Sequence, residues 1–324
     1  MKTDSGGENT EYKNEFKAIA EAYKKAGGDE KVLLDTGYGT LVINENKVLG
    51  KNEIDGLRID SKSTENGVNV KVSVDDGTKI EKPVHLCFGM LPKEGKQVIN
   101  SEFFIGKNAK VNFLAHCSFP NAEHIEHVMD SKVHVGENAE MSYKETHYHS
   151  ENGGIHVHPT LRGKIERGGR LLEEFRLTKG SVGMLNIDYE IELDEKSSCD
   201  LLTKIYGKRD DNIEVRESLH LNGPYAAGTA KSRIVLVDNA FGNVLGEITG
   251  NAPHTRGHVD CHEIVQGEGA KAISTPKISV EHPLARVTHE AAIGRINKKE
   301  LETLMARGLT EEKAIDFIVK GLLR

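Results

Sequence analysis

Residues 132–149 read KVHVGENAEMSYKETHYH. Two runs with apolar residues at alternate positions flank the charged tetrapeptide ENAE at 137–140. Alternation with period two is the mark of a half-buried strand, and Gly or Asn between such runs marks a turn. The same design recurs at VNVKVSV (68–74), KVNFLAHCSF (110–119), NIDYEIEL (186–193), CDLLTKIYG (199–207), SRIVLVD (232–238) and HVDCHEIV (258–265). Each runs for a few residues, then meets Gly, Asn, Asp or Lys. From about Lys31 to Pro283 no helical periodicity interrupts them convincingly. Turn-like relatives of ENAE stand at 107–110 (KNAK) and 268–271 (EGAK), a weak internal repeat.

Many short strands with a recurring charged turn fit a β-helix or a β-sandwich. The chain has no Trp, few aromatics and 33 glycines, which suits a narrow, stacked core of Val, Ile and Leu. Coils stacked into a β-helix also protect strand edges that a long open sheet would expose. The expectation is a mainly β protein with short helical parts at both ends.

Residues 8–28 read as a helix, with Tyr12, Phe16, Ile19, Ala20 and Tyr23 on one face and Gly27-Gly28 as its stop. Near the C-terminus Asn297 caps a second helix, with Glu300 three residues on, and Leu301, Leu304 and Met305 form its apolar face. Arg307-Gly308 ends it. Thr310 caps a third, with Glu311 and Glu312 against its dipole. Its residues Ala314, Ile315, Ile318, Val319 and Leu322 are expected to face one way. Two short helices are marginal alone, so they must dock on their own β domain or in a partner's groove.

With 324 residues and a formal net charge of −7, wholesale nucleic-acid binding is not expected. No apolar run approaches the roughly 18 residues of a membrane span, and the start MKTDSGGENTEYKNEF has neither an apolar h-region nor an Arg-rich pattern. The expected location is the cytoplasm. There the four scattered cysteines, Cys87, Cys117, Cys199 and Cys261, would stay reduced, so no disulfide framework is expected.

Thiolate, imidazole and carboxylate are the side chains that hold iron and handle sulfur. Cys261 and the pair His289-Glu290 are therefore the first candidates. On a strand Cys261 and Glu263 share one face, Asp260 and His262 the other. One cysteine cannot hold a cluster, so His289, Glu290, a nearby His254 or His258, or a second chain would have to help. From spacing alone, a buried inert cysteine is the plainer reading. Cys117 lies in FLAHCSFP with His116 on the opposite strand face. Cys87 and Cys199 sit inside apolar strands and read as core. The pairs HYH (147–149) and HVH (156–158) suggest zinc, since i and i+2 share a face, but no cysteine accompanies them at familiar spacing. The SENGG between them reads as a plain hairpin connection. No P-loop, dinucleotide fingerprint, G-x-S-x-G or H-E-x-x-H is present, so no nucleotide is expected on this chain.

HTRGHVDCHEIV (254–265) followed by TPKISVEHPLARVTHEAAIGRINKKELETLMARGLTEEKAIDFIVKGLL (275–323) closely resembles the C-terminal part of the SufB/SufD family of iron–sulfur cluster assembly scaffolds. The shared elements are A-x-x-x-H-E-A, G-x-I, L-x-x-L-x-x-R-G-L and a final E-A-x-x-x-I-x-x-G-L, in order across 254–323. KNAKVNFLAHCSFP (107–120) and ENAEMSYKETHYHSENGG (137–154) resemble the SufB segment around its sulfur-accepting cysteine. The likeness covers roughly residues 80–324, and the N-terminal region is shorter than in typical bacterial SufB.

The resemblance implies a right-handed parallel β-helix at 61–284, an N-terminal helical region at 1–60 and a C-terminal helical, ATPase-binding region at 285–324. It implies a scaffold rather than an enzyme. Its partners would be a SufC-like ABC ATPase, a second SufB/SufD-like chain and a sulfur donor such as a cysteine desulfurase or sulfide. Cys117 stands where the family accepts sulfur. Cys261 stands at the cluster site and Glu290 at the essential glutamate, with His289 beside it, for a transient cluster of the 4Fe-4S kind. SufD-like chains usually lack the Cys-and-Glu combination, so the resemblance favours SufB over a cluster-free SufD-like subunit. A carbohydrate-active β-helix is the remote alternative, disfavoured by the absence of a signal peptide and of an Asp-rich calcium cluster.

Overall fold

The computed structural model describes residues 5–323. A helix α1 (Ser5–Ala26) and a 3-10 turn (Glu30–Leu34) lead into strands β1 (Thr40–Asn44), β2 (Lys47–Asn52), β3 (Leu57–Thr64), β4 (Gly67–Val74), β5 (Val84–Gly89), β6 (Glu94–Ile105) and β7 (Lys110–Phe119). The chain continues through β8 (His124–Val135), β9 (Glu140–His149), β10 (Ile155–Ile165), β11 (Arg170–Lys179), β12 (Gly183–Leu193) and β13 (Ser198–Gly207). Then come β14 (Asn212–Leu221), β15 (Ala227–Val237), β16 (Phe241–Gly250), β17 (Arg256–Gln266), β18 (Lys271–Val280) and β19 (Arg286–Gly294), followed by helices α2 (Lys298–Ala306) and α3 (Glu311–Leu322).

From β4 onward, consecutive strands alternate between two sheets. One runs β19-β17-β15-β13-β11-β9-β7-β5-β1-β2, the other β18-β16-β14-β12-β10-β8-β6-β4-β3. Every pairing is parallel except β1 with β2 and β3 with β4, two antiparallel hairpins at the start. The result is a parallel β-solenoid, as expected of a β-helix and not of a sandwich. Inward-facing residues stack on their equivalents one coil away, as in Val111, Met141, Leu171 and Cys199. They form one continuous apolar core with no thick layer for Trp to fill.

One corner explains the recurring tetrapeptide. Asn108, Asn138, Gly168, Lys196, Tyr225 and His254 have φ of 57°, 54°, 69°, 56°, 63° and 62°. Each donates its backbone N–H to the next coil, as from Asn138 to Arg167 O at 3.0 Å and from Tyr225 to Pro253 O at 3.1 Å. The residue after each is small and mostly buried, as in Ala109, Ala139, Ser197, Ala226 and Thr255. A left-handed residue reverses the chain, and a small one tucks beneath it. KNAK and ENAE both occupy this corner. EGAK does not: it links β17 to β18, at the opposite edge of the coil.

SENGG is not a hairpin. It carries the chain from β9 in one sheet to β10 in the other. Gly153 and Gly154 have φ of 75° and 78°, and a Cβ on Gly154 would lie 1.9 Å from Glu123 O. Two glycines between alternating runs serve a solenoid corner as well as a hairpin, which is why local sequence misreads it.

The helical part at the N-terminus ends at Leu34, well short of residue 60, because β1, β2 and the start of β3 already belong to the sheets. Likewise the region from 285 begins with β19 and becomes helical only at Lys298. Helix α1 lies on the outer face of the longer sheet, burying Ile19, Ala20 and Tyr23 against Val42 and Cys87. Tyr12 is exposed.

Helices α2 and α3 dock on their own β domain. Leu301, Ala314, Val319 and Leu323 join Tyr206, Val235 and Ile264 on the outer face of β13, β15 and β17. Asn297 Oδ1 accepts from Lys299 N at 2.9 Å, and Thr310 Oγ1 from Lys313 N at 3.4 Å, as the caps predict. Leu322, expected inward, is instead exposed with Met305 and Phe317. Among the described residues, no helix is long and apolar enough to cross a membrane.

The corner ladder makes a test. Asn138→Val puts a β-branched residue at a φ of 54° and should cost about 1–2 kcal/mol or more, whereas Asn138→Gly should stay within about 1 kcal/mol of the parent. Urea denaturation midpoints measure both; equal midpoints would remove the corner from the account of stability.

Candidate functional site

The solenoid interior is not wholly apolar. A file of polar side chains runs along it, beginning on β7. Cys117 points inward and is fully buried. Its Sγ lies 3.6 Å from Glu145 Oε1 and 3.8 Å from Met129 Sδ. His147, paired with Cys117 in the register of β7 and β9, is hydrogen-bonded through Nε2 to Glu145 Oε1. Its Nδ1 meets His149 Nε2 at 3.2 Å. His127 is buried nearby with neither ring nitrogen hydrogen-bonded within the protein, its ring centroid 6.0 Å from that of His147.

The file continues coil by coil. Glu145, Tyr143, Glu173 and Tyr189 line one small cavity. Glu217 accepts from Thr203 Oγ1 at 2.6 Å, and Glu263 from Ser232 Oγ at 2.9 Å. Thr203, Ser232 and Cys261 are register neighbours on β13, β15 and β17. Cys117 and Cys261 thus stand in one interior, five strand spacings apart along the longer sheet, or roughly 24 Å at about 4.8 Å per spacing.

Burial controls the charges of this file. Desolvation, with Glu145 beside it, holds the Cys117 thiol well above its ordinary range. Cys261 is pushed up to about 11, again chiefly by burial. Burial raises Glu173 well above the carboxylate range, with Glu145 and Glu217 adding to it, and raises Glu217 to about 7 against the Thr203 hydrogen bond. His127 and His149 are held neutral by burial and by neighbouring imidazoles.

The two ends of the cluster-site reading are placed differently. Cys261 and Glu263 do share the inward face, with Asp260 and His262 outward. His289 is the register partner of Val259, so it has the inward parity of Cys261 one coil on; Glu290 partners Asp260 on the outward side. Both are exposed on β19, the last strand of its sheet. One chain therefore brings His289 to the Cys261 side but not Glu290. The terminal coil also exposes inward-facing Ile278, Val280 and Ile293, because no further coil stacks on them.

The other expectations resolve simply. All four cysteines are buried free thiols. Cys87 lies under α1, outside the interior, and Cys199 is core, near the start of β13 and away from the column of Cys117. The two histidine pairs do not converge: His147 and His149 face inward, whereas His156 and His158 face outward on β10. Sequence reasoning missed Glu145, Glu173 and Glu217 as interior residues. The signal was present, since Met141, Tyr143, Glu145, His147 and His149 alternate on one face of β9.

Glu217 links this interior to pH. Its protonated form contributes stability fully below about 4.5, and that stability is lost as pH rises through about 7. Glu217→Gln should remove that loss, gaining roughly 2–3 kcal/mol on the parent between pH 5 and pH 8; urea denaturation at both pH values checks it, and parallel curves would reject it. The profile described as the SUF system FeS cluster assembly SufBD core domain matches residues 94–322. An iron–sulfur cluster assembly SufBD family protein of Methanocaldococcus jannaschii is 36% identical over 311 residues, 96% of this chain and 98% of that one. One from Pyrococcus horikoshii is 37% identical over 309 residues, 95% of this chain and 94% of that one. A second, longer P. horikoshii member is 29% identical over 77% of this chain but only 56% of its own length. With a matching profile over most of its length, two relatives of its own size and the solenoid itself, this chain belongs to the SufBD family of iron–sulfur cluster assembly proteins.

Proposed function

We propose that this chain is a SufB-like scaffold on which sulfur and iron are joined, rather than a cluster-free SufD-like subunit. The observation that carries this reading is the interior file joining Cys117 to Cys261. Buried carboxyls and hydroxyls destabilise a purely structural solenoid unless each finds a partner. A protein that only supported its neighbours would have no use for them.

Sulfur enters at Cys117 as a persulfide. A direct attack by the Cys261 thiolate is excluded at roughly 24 Å. The sulfur instead crosses the file as neutral hydrogen sulfide: the persulfide and two external thiols give the free Cys117 thiol, hydrogen sulfide and one disulfide. The donor is a cysteine desulfurase or a sulfide source. At Cys261 sulfide meets iron, the cargo, which the softer thiolate and imidazole of Cys261 and His289 hold loosely. Glu290 lies on the other strand face, so its part in the ligand set falls at the interface with a second SufB/SufD-like chain. The uncovered Ile278, Val280 and Ile293 of the last coil are the apolar surface that chain would cover. A transient 4Fe-4S cluster is the product in this reading.

The chain itself is not the ATPase. The outer faces of α2 and α3 form a groove lined by Leu304, Phe317, Ile318 and Leu322, where a SufC-like ABC ATPase would dock. The cytoplasm, a reducing compartment, suits four free thiols.

Two measurements test this. Anaerobic co-expression with the ATPase, then iron and sulfide reconstitution read by absorption and Mössbauer spectroscopy, should give a cluster in the parent and none in Cys261→Ser. A stable ATPase complex with no cluster in either would make the chain a structural subunit. For docking, Leu304 and Ile318 are half-buried against the β domain, so Phe317 and Leu322, 64% and 41% exposed, are the cleaner probes. Phe317→Asp with Leu322→Asp should abolish co-purification with the ATPase while shifting stability by no more than about 0.5 kcal/mol per substitution. Undiminished co-purification would move the ATPase elsewhere.

A further inference from the structure

The geometry points to a second metal site, inside the solenoid: Cys117, Glu145 and His147, with Met129 as fourth donor, form a buried mononuclear site for a thiophilic divalent ion of the ferrous or zinc type. The ligand atoms of Cys117, Glu145 and His147 lie within 4.8 Å of one another, and all three residues are buried. Tetrahedral coordination with metal–sulfur bonds of about 2.3 Å and metal–oxygen bonds of about 2.0 Å requires sulfur–sulfur edges of about 3.8 Å and sulfur–oxygen edges of about 3.5 Å. Cys117 Sγ stands 3.8 Å from Met129 Sδ and 3.6 Å from Glu145 Oε1. The Glu145–His147 contact must open to admit the ion. A cavity of about 20 Å³ bordered by Met129 and Glu145 provides space beside it, enough for one water-sized particle.

The donors also select the ion. Thiolate, thioether and imidazole disfavour magnesium and calcium, and a carboxylate disfavours a purely soft ion such as Cu(I). A dication bound by one thiolate, one carboxylate and a neutral imidazole leaves no net charge in the interior, which is the condition for burying it. A further imidazole, that of His127, stands beside His147 with both nitrogens free of partners in the protein. The HYH pair at 147–149 pointed to His147, but local spacing could not supply the other ligands: the four donors come from three strands, β7, β8 and β9, and meet only when those coils stack.

The site goes beyond the scaffold reading and shares Cys117 with it, the thiolate holding the ion before sulfur arrives and releasing it when the persulfide forms; metal binding itself needs no partner, no sulfur donor and no cluster. Anaerobic titration of the full chain with Co(II), read by the thiolate-to-cobalt charge-transfer band and tetrahedral visible absorption, tests it. One equivalent should bind in the parent and in Cys261→Ser. The band should vanish in Cys117→Ser, and affinity should fall at least about tenfold in Glu145→Gln and His147→Gln. Loss of the band in Cys261→Ser, its survival in Cys117→Ser, or no thiolate band at all would overturn the assignment. Should the Cys117 variant not fold, X-ray absorption of zinc-loaded Cys261→Ser protein decides: a thiolate sulfur at about 2.3 Å together with nitrogen or oxygen neighbours supports the site, and a shell of nitrogen and oxygen alone rejects it.

Discussion

Parallel hydrogen bonding between successive coils is the constraint on which the rest of this molecule depends. Each strand pairs with the equivalent strand one coil before and one coil after, nearly residue for residue. A slip of one residue would turn every inward side chain outward. Register is held at the corner where one left-handed residue per coil donates to the next coil and a small residue follows it. The sequence there is permissive: Asn, Gly, Lys, Tyr and His all occupy the left-handed position. What is common to them is backbone conformation, not side-chain chemistry, and that is why the repeat looks weak when read as letters.

Fixed register turns single residues into columns. Ala115, Glu145, Phe175, Thr203, Ser232, Cys261 and Ala291 form one column of the longer sheet. Such a column sets which side chains meet along the axis. The cost is the burial of carboxyls, met here by protonation of Glu173 and Glu217 and by hydroxyl donors from Thr203 and Ser232. Glu217, raised to about 7, is the member of this file poised between neutral and charged forms near physiological pH.

The two ends of the solenoid are unlike. At the start, the antiparallel hairpins β1–β2 and β3–β4 complete the sheets, with α1 laid over one face. At the far end no hairpin intervenes, and the apolar inward side chains of the last coil reach the surface beside His289 and Glu290. Helices α2 and α3 cover the outer face of β13, β15 and β17 instead of that open end. The end nearest Cys261 is thus the one left uncovered among the described residues.

The amino-acid sequence by itself determined the class of fold, the helices at each end, their caps, and the shared strand face of Cys261 and Glu263. These follow from periodicity and capping over a few residues, which local chemistry controls. The family likeness added the roles expected of Cys117, Cys261, His289 and Glu290. Only the tertiary structure decided that SENGG is a corner, that Glu290 faces away from Cys261, and that Cys117 meets Met129, Glu145 and His147. In each case the deciding partner lies on another coil, commonly about thirty residues away, as for Thr203 and Ser232. No local pattern reports which residue of the next coil lies opposite; the stacking of coils sets that, through the length of every intervening turn.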